Sequence, residues 1–179
     1  RNEYMMFSSE SHADALHWYV VKVYYHRYAA LCATFEREGW EYFIPPYSPD
    51  TMLLFIKTSE SYILSLQSSL CGMGMVCPVP GTHLPARISD DEMQMFRFVT
   101  EVAGDDMEII TRVASLRLRD YYRVTAGPWK GVEGFLARIR HRMRLVVTLG
   151  TLFTVAATTY IPKEHLLRID LPEWKKVAE

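Results

Sequence analysis

The sequence predicts an α+β protein in two domains, a mixed unit over about residues 16–103 and an all-strand unit over about 117–170. Three observations predict it. The hydrophobic pattern switches between periods of 2 and 3.6 residues in the first half, whereas short strand-like runs fill the second. Gly127-Pro128-Trp129-Lys130-Gly131-Val132-Glu133-Gly134 sets three glycines in a β-branched context, which describes two strands joined by a turn. The charge is also divided: residues 1–103 hold 7 Lys/Arg against 12 Asp/Glu, net −5, and residues 104–179 hold 13 against 9, net +4.

Residues 1–15 lack periodicity and read as a lead-in. Trp18 to Tyr25 is rich in aromatic and β-branched residues, hence a strand buried on most of both faces. Tyr28, Leu31, Cys32 and Phe35 fall at i, i+3, i+4 and i+7, an amphipathic helix that Gly39 stops. Tyr42 to Ile44 is a short strand ended by Pro45-Pro46. Tyr47 to Asp50 is turn chemistry, and Met52 to Lys57 is the next strand. Ser59 caps a second helix with Tyr62, Ile63, Leu66 and Leu70 on its apolar face; Gly72 and Gly74 end it, and Met75 to Cys77 is a fourth strand. The order β-α-β-β-α-β is the split pattern of ferredoxin-like domains.

Ser89-Asp90-Asp91-Glu92 is a capping box opening a third helix, whose broad apolar face holds Met93, Met95, Phe96, Phe98, Val99 and Val102. Residues 104–116 read as a linker. The remainder reads as successive short strands, at Asp120–Ala126, Glu133–Ile139, Arg144–Leu149, Leu152–Tyr160 and Leu166–Ile169.

Composition narrows the function. At 179 residues, 49% hydrophobic and 23% charged, the chain can bury a core of ordinary size. Its net charge of −1 is not that of a dedicated nucleic-acid binder. No run approaches the ~18 apolar residues of a membrane span, and no signal peptide is legible. The three cysteines stand in unpatterned positions, so the expected compartment is the cytoplasm, with thiols reduced.

Chemistry-bearing motifs are scarce. Cys71, Cys77 and His83 lack the spacing of a zinc site, and no metal or other cofactor is expected. No phosphate loop, nucleophile elbow or metalloprotease helix is present, and neither Cys nor Ser has motif support with His17, His26 or His165, so catalysis is not expected. Arg138, Arg140, Arg142 and Arg144, with His141, form a basic hairpin. Alternate spacing points several of them the same way, making them candidates for phosphate or partner contact. The competing reading is a solvated edge that discourages strand pairing.

The glycine turn followed by Phe135 to Arg140 and Arg144 to Leu149 resembles the KOW motif, which opens a small SH3-like β-barrel. His17-Trp18-Tyr19-Val20-Val21 resembles the Trp-Tyr-Val-Val opening of the NusG family's N-terminal (NGN) domain. Ile88-Ser89-Asp90-Asp91-Glu92-Met93 resembles the start of that domain's third helix. Tyr160-Ile161-Pro162-Lys163-Glu164-His165-Leu166 resembles the specialised UpxY branch. Together these motifs cover about residues 16–170. The chain departs from the family at Pro49 to Ile56, which lacks the usual Gly-Tyr, and the insertion between the second and third strands is missing.

The resemblance implies a transcription elongation or antitermination factor that binds the RNA polymerase clamp and suppresses pausing or termination. It implies a ferredoxin-like NGN domain at 16–103, a linker at 104–116 and a KOW barrel at 117–170. The polymerase-binding patch would comprise Leu53, Phe55 and Met93, with Ile44. The KOW turn would use Gly127, Pro128, Gly131 and Gly134 for backbone geometry, with Trp129 as a packing lid. The second domain would recruit a ribosomal protein, a termination factor or RNA. The lost Gly-Tyr and the UpxY-like ending imply a factor specialised to a few operons. A KOW-type RNA-binding or ribosome-associated protein is the alternative.

Overall fold

The computed structural model describes residues 15–24, 27–45, 53–103, 107–110, 118–139, 141–149, 153–157 and 161–173. Residues 1–14 of the lead-in, the Tyr47–Asp50 turn and Arg140 lie outside them. The protein is α+β, with two antiparallel sheets among the described residues.

The first sheet has the order β2-β3-β1-β4, from β1 (His17–Val23), β2 (Glu41–Phe43), β3 (Leu53–Thr58) and β4 (Gly74–Val76). β1 is central, pairing Val20 with Phe55 on one side and Lys22 with Met75 on the other. The period of two divides β1 and β3 between two cores. Tyr19, Val21, Leu54 and Ile56 pack with Leu31 and Phe35 of α1 (Tyr28–Glu38) and Ile63 and Leu66 of α2 (Glu60–Ser69). Trp18, Val20, Leu53 and Phe55 join the core that contains α3 (Asp90–Ala103). Each helix starts or stops where its terminal residues satisfy orphan backbone groups. Tyr62 N–H donates to Ser59 Oγ at 3.2 Å, Glu92 N–H donates to Ser89 Oγ at 3.2 Å, and Trp40 N–H donates to the Phe35 carbonyl beyond the left-handed Gly39.

The second sheet runs β10-β6-β7-β8-β9-β5, from β5 (Met107–Ile110), β6 (Leu118–Val124), β7 (Glu133–Ile139), β8 (Arg142–Leu149), β9 (Phe153–Ala157) and β10 (Leu166–Arg168). Two expectations change here. The stretch expected to be linker contains a strand, β5, which pairs Met107 with Ala157 through to Ile110 with Thr154. The strands also form an open sheet rather than a closed barrel among the described residues, because β5 extends one end at β9 and β10 extends the other at β6.

α3 packs on β1 of the first sheet and on β8 and β9 of the second. Phe96 and Val99 of α3 therefore share one apolar cluster with Phe55 on one side and with Val132, Leu145, Val147 and Leu149 on the other. Burial of side chains of this size stabilises by about 1.5–3 kcal/mol each, so α3 couples the two sheets energetically.

Candidate interaction surface

The expected docking patch is not a surface at three of its four positions. Leu53 is 4% exposed, Phe55 0% and Met93 1%. The cause is α3, which covers the face of the first sheet onto which Leu53 and Phe55 alternate. Phe43, Phe55 and Phe96 then form an aromatic triad, with ring centroids 5.1 Å apart for Phe55–Phe96 and 5.9 Å for Phe43–Phe96. Ile44, one residue past β2, is 42% exposed.

What α3 presents outward is a stripe of Asp91, Gln94, Phe98 and Glu101, spaced at i, i+3, i+7 and i+10. A groove of about 510 Å3 lies between this stripe and the first sheet, and Trp18, Lys57, Met93 and Arg97 contribute to its lining. Two ion pairs brace it: Arg97 to Glu41 at 3.1 Å and Lys57 to Asp90 at 3.1 Å. The Arg97 guanidinium also lies over two aromatic rings, 4.9 Å from the centroid of Phe43 and 5.5 Å from that of Trp18. Stacking and pairing together hold a long side chain in one geometry. On the other side of the stripe, Met95 and Phe98 face Lys130 and Gly131 of the β6–β7 turn and Glu133 of β7 across a groove of about 410 Å3.

That turn is built as its glycines require. Gly127 and Gly131 adopt φ of 82° and 92°, where a Cβ is disfavoured. Lys130 N–H donates to the Gly127 carbonyl, and Gly131 N–H donates to the Val124 carbonyl. At Gly134 the constraint is space, because a Cβ would come within 2.5 Å of the Val146 carbonyl oxygen. Trp129 is buried in the shared core.

The basic hairpin does not gather its arginines on one face. Arg138 lies opposite Met143, whereas Arg142 lies opposite Ile139 and Arg144 opposite Ala137, so Arg138 and the other two project to opposite faces. Arg138 and Arg142 are exposed, but Arg144 is buried among β-strand neighbours. His141, beside the hairpin tip, adopts φ 68°.

Ionisable chemistry is muted. Burial pushes the Cys77 and Cys32 thiols up, away from the thiolate that attack or metal binding needs. The Tyr42 hydroxyl, pushed up to about 12, donates to the Glu36 carboxylate. Among the described residues no three His, Cys, Asp or Glu side chains come together to hold a metal, and no helix is long and apolar enough to cross a membrane.

A scan against protein-family models and a search of the curated proteins found no match to this chain. The groove-lining residues Trp18, Glu41, Lys57, Arg97, Phe98 and Lys130 were not legible as a site from sequence. The one available signal is the polar interruption at Gln94 and Arg97 of the apolar face of α3.

Proposed function

We propose that this protein is a NusG-like transcription elongation and antitermination factor, acting by binding RNA polymerase and carrying out no catalytic step itself. The observation that carries the reading is the first sheet's order β2-β3-β1-β4, with α1 and α2 covering one face. That order is what a ferredoxin-like βαββαβ unit has, and here it opens with Trp-Tyr-Val-Val. The turn at Gly127–Gly134, with two glycines at positive φ, gives further support to a KOW-like second unit, in an open rather than closed form.

With Leu53, Phe55 and Met93 buried, the polymerase contact is reassigned to the outer face of α3 and the groove beside it, together with the exposed Ile44. A concavity rimmed by charge, with the half-buried Phe98 at its edge, is a surface that a partner can cover. Binding there would favour the closed, elongation-competent clamp, because a ligand shifts an equilibrium by its differential affinity for the two states. The missing Gly-Tyr at the third strand and the UpxY-like ending support a factor specialised to a few long operons.

Transcription of a long template by purified bacterial RNA polymerase tests the reading. Adding the protein is expected to raise full-length product at pause and terminator sites. Unchanged pausing and termination at saturating protein would overturn it.

A further inference from the structure

We infer that the surface shared by α2 and the loop after β4 is a self-association face, on which two copies of this chain pair as a weak, two-fold symmetric dimer.

The face is marked first by its lack of charge. Between Lys57 and Arg87 lie 29 residues with one charged side chain, Glu60, whereas 23% of the whole chain is charged. Charged residues are the ordinary covering of a solvated surface. Here they are missing where apolar exposure is high. Leu64, Val79 and Leu84 are three of the eight exposed large apolar side chains among the described residues, and Leu84, at 65%, is the most exposed of them.

The fold gathers these three at one corner. Residues 77–86 double back as a small hairpin. Ala86 N–H donates to the Cys77 carbonyl at 3.0 Å, Val79 N–H donates to the Leu84 carbonyl at 2.8 Å, and Gly81 takes φ 77° near the tip. Val79 and Leu84 are thus opposed across it. The returning arm is held to α2 at two points: Gln67 Nε2 donates to the His83 carbonyl at 3.3 Å, and Arg87 pairs with Glu60 at 3.1 Å. Glu60 and Gln67 stand seven residues apart, two turns along one helix face, with Leu64 between them on that face. Leu84 stands between His83 and Arg87 on the arm. The two exposed leucines are therefore held between the same two contacts.

Charge decides the occupant. A two-fold axis sets a patch against its own copy, so an unpaired charge there meets its like. The charges bordering this patch, Glu60 and Arg87, cancel within the chain. The net charge of −1 adds almost no long-range repulsion between copies. A strongly charged partner, by contrast, finds no surplus of opposite charge to recognise. Depletion of charge around apolar anchors is the composition of a homodimer's buried centre. Three apolar anchors are few for a permanent interface, so the association is weak and reversible.

Sedimentation velocity of the full-length chain from about 1 to 500 μM tests this. The expected result is a monomer–dimer equilibrium in the micromolar range that holds or tightens as salt rises, because no ion pair carries it. Leu64→Glu and Leu84→Glu are each expected to weaken it about tenfold or more, since each buries an unpaired charge facing its own copy. Met143→Glu, which alters an exposed apolar side chain of the second sheet, should leave it unchanged. Circular dichroism melting checks that every variant is folded. A chain that stays monomeric throughout, a dimer that salt dissociates, or one that survives both leucine changes overturns the inference. Growth past the dimer with concentration also overturns it, because a two-fold contact closes at two copies.

Discussion

The ring of Phe96 on α3 stands 5.1 Å from the ring of Phe55 on β3, and through that contact the third helix seals one face of the first sheet. The same helix carries the second sheet on its other side, with Val99 and Phe96 in one cluster with Leu145 and Val147. α3 is thus the structural joint of the molecule and, by its outer stripe, its proposed contact surface.

Replacing Phe55 with Ala is expected to cost about 3–5 kcal/mol, the range for emptying a fully buried aromatic site. The charged double variant Leu53→Glu/Phe55→Glu is expected to be unfolded, because neither carboxylate would have a partner in this core. Chemical denaturation monitored by far-UV circular dichroism measures both. A folded double variant would mean that these side chains reach solvent.

Because one core spans both sheets, the full chain is expected to unfold in a single transition. Circular dichroism and tryptophan fluorescence should give coincident melting curves. A fragment ending at residue 103 should melt at lower temperature and bind a hydrophobic dye, since it uncovers the side of α3 that faces Leu145 and Val147. Two separated transitions in the full chain would show that the sheets fold independently.

Gly134→Ala is expected to destabilise by about 1–3 kcal/mol, because the added methyl meets the Val146 carbonyl oxygen, which belongs to backbone and cannot swing away. Gly131→Ala meets no neighbouring atom but is held at φ 92°, which costs about 1–3 kcal/mol as strain. Both should lower the melting temperature, whereas Lys130→Ala beside them, exposed, should stay within about 0.5 kcal/mol.

Alkaline pH should weaken the fold through Tyr28. Its hydroxyl donates to the Leu53 carbonyl at 3.0 Å, and burial pushes it up from 10.0 to about 12. The folded state thus holds the neutral phenol more tightly than the unfolded chain does. This contribution is complete below pH 10 and is lost as pH rises through about 12. Denaturation of wild type and Tyr28→Phe across that window measures it: the wild type should lose more stability than the variant. Equal losses would remove Tyr28 as a cause.

Much of the fold was legible because its signals are local. The Ser89 and Ser59 caps, the Gly39 stop and the i, i+3, i+4 pattern of Leu31 and Phe35 each act within a few residues of themselves. What was not legible depends on distant chain. Met107–Ile110 became a strand through β9, some 45 residues on, while neighbouring Asp105 and Asp106 signalled a linker. Alternation on β3 gave the correct two faces, but nothing local tells that α3 covers the one carrying Leu53 and Phe55. The arginine spacing in the β7–β8 hairpin likewise ignored the turn, which sends Arg138 and Arg142 to opposite faces. The two grooves set Trp18 beside Arg97 and Lys130 beside Phe98, which only the folded chain brings together.

Equilibrium binding of the labelled full-length chain to purified bacterial core RNA polymerase tests the central claim most directly. The account predicts saturable one-to-one binding that survives added RNA competitor and is lost when Phe98 and Ile44 are both replaced by Glu in a chain that remains folded. No saturable binding, or binding displaced completely by RNA, would contradict it.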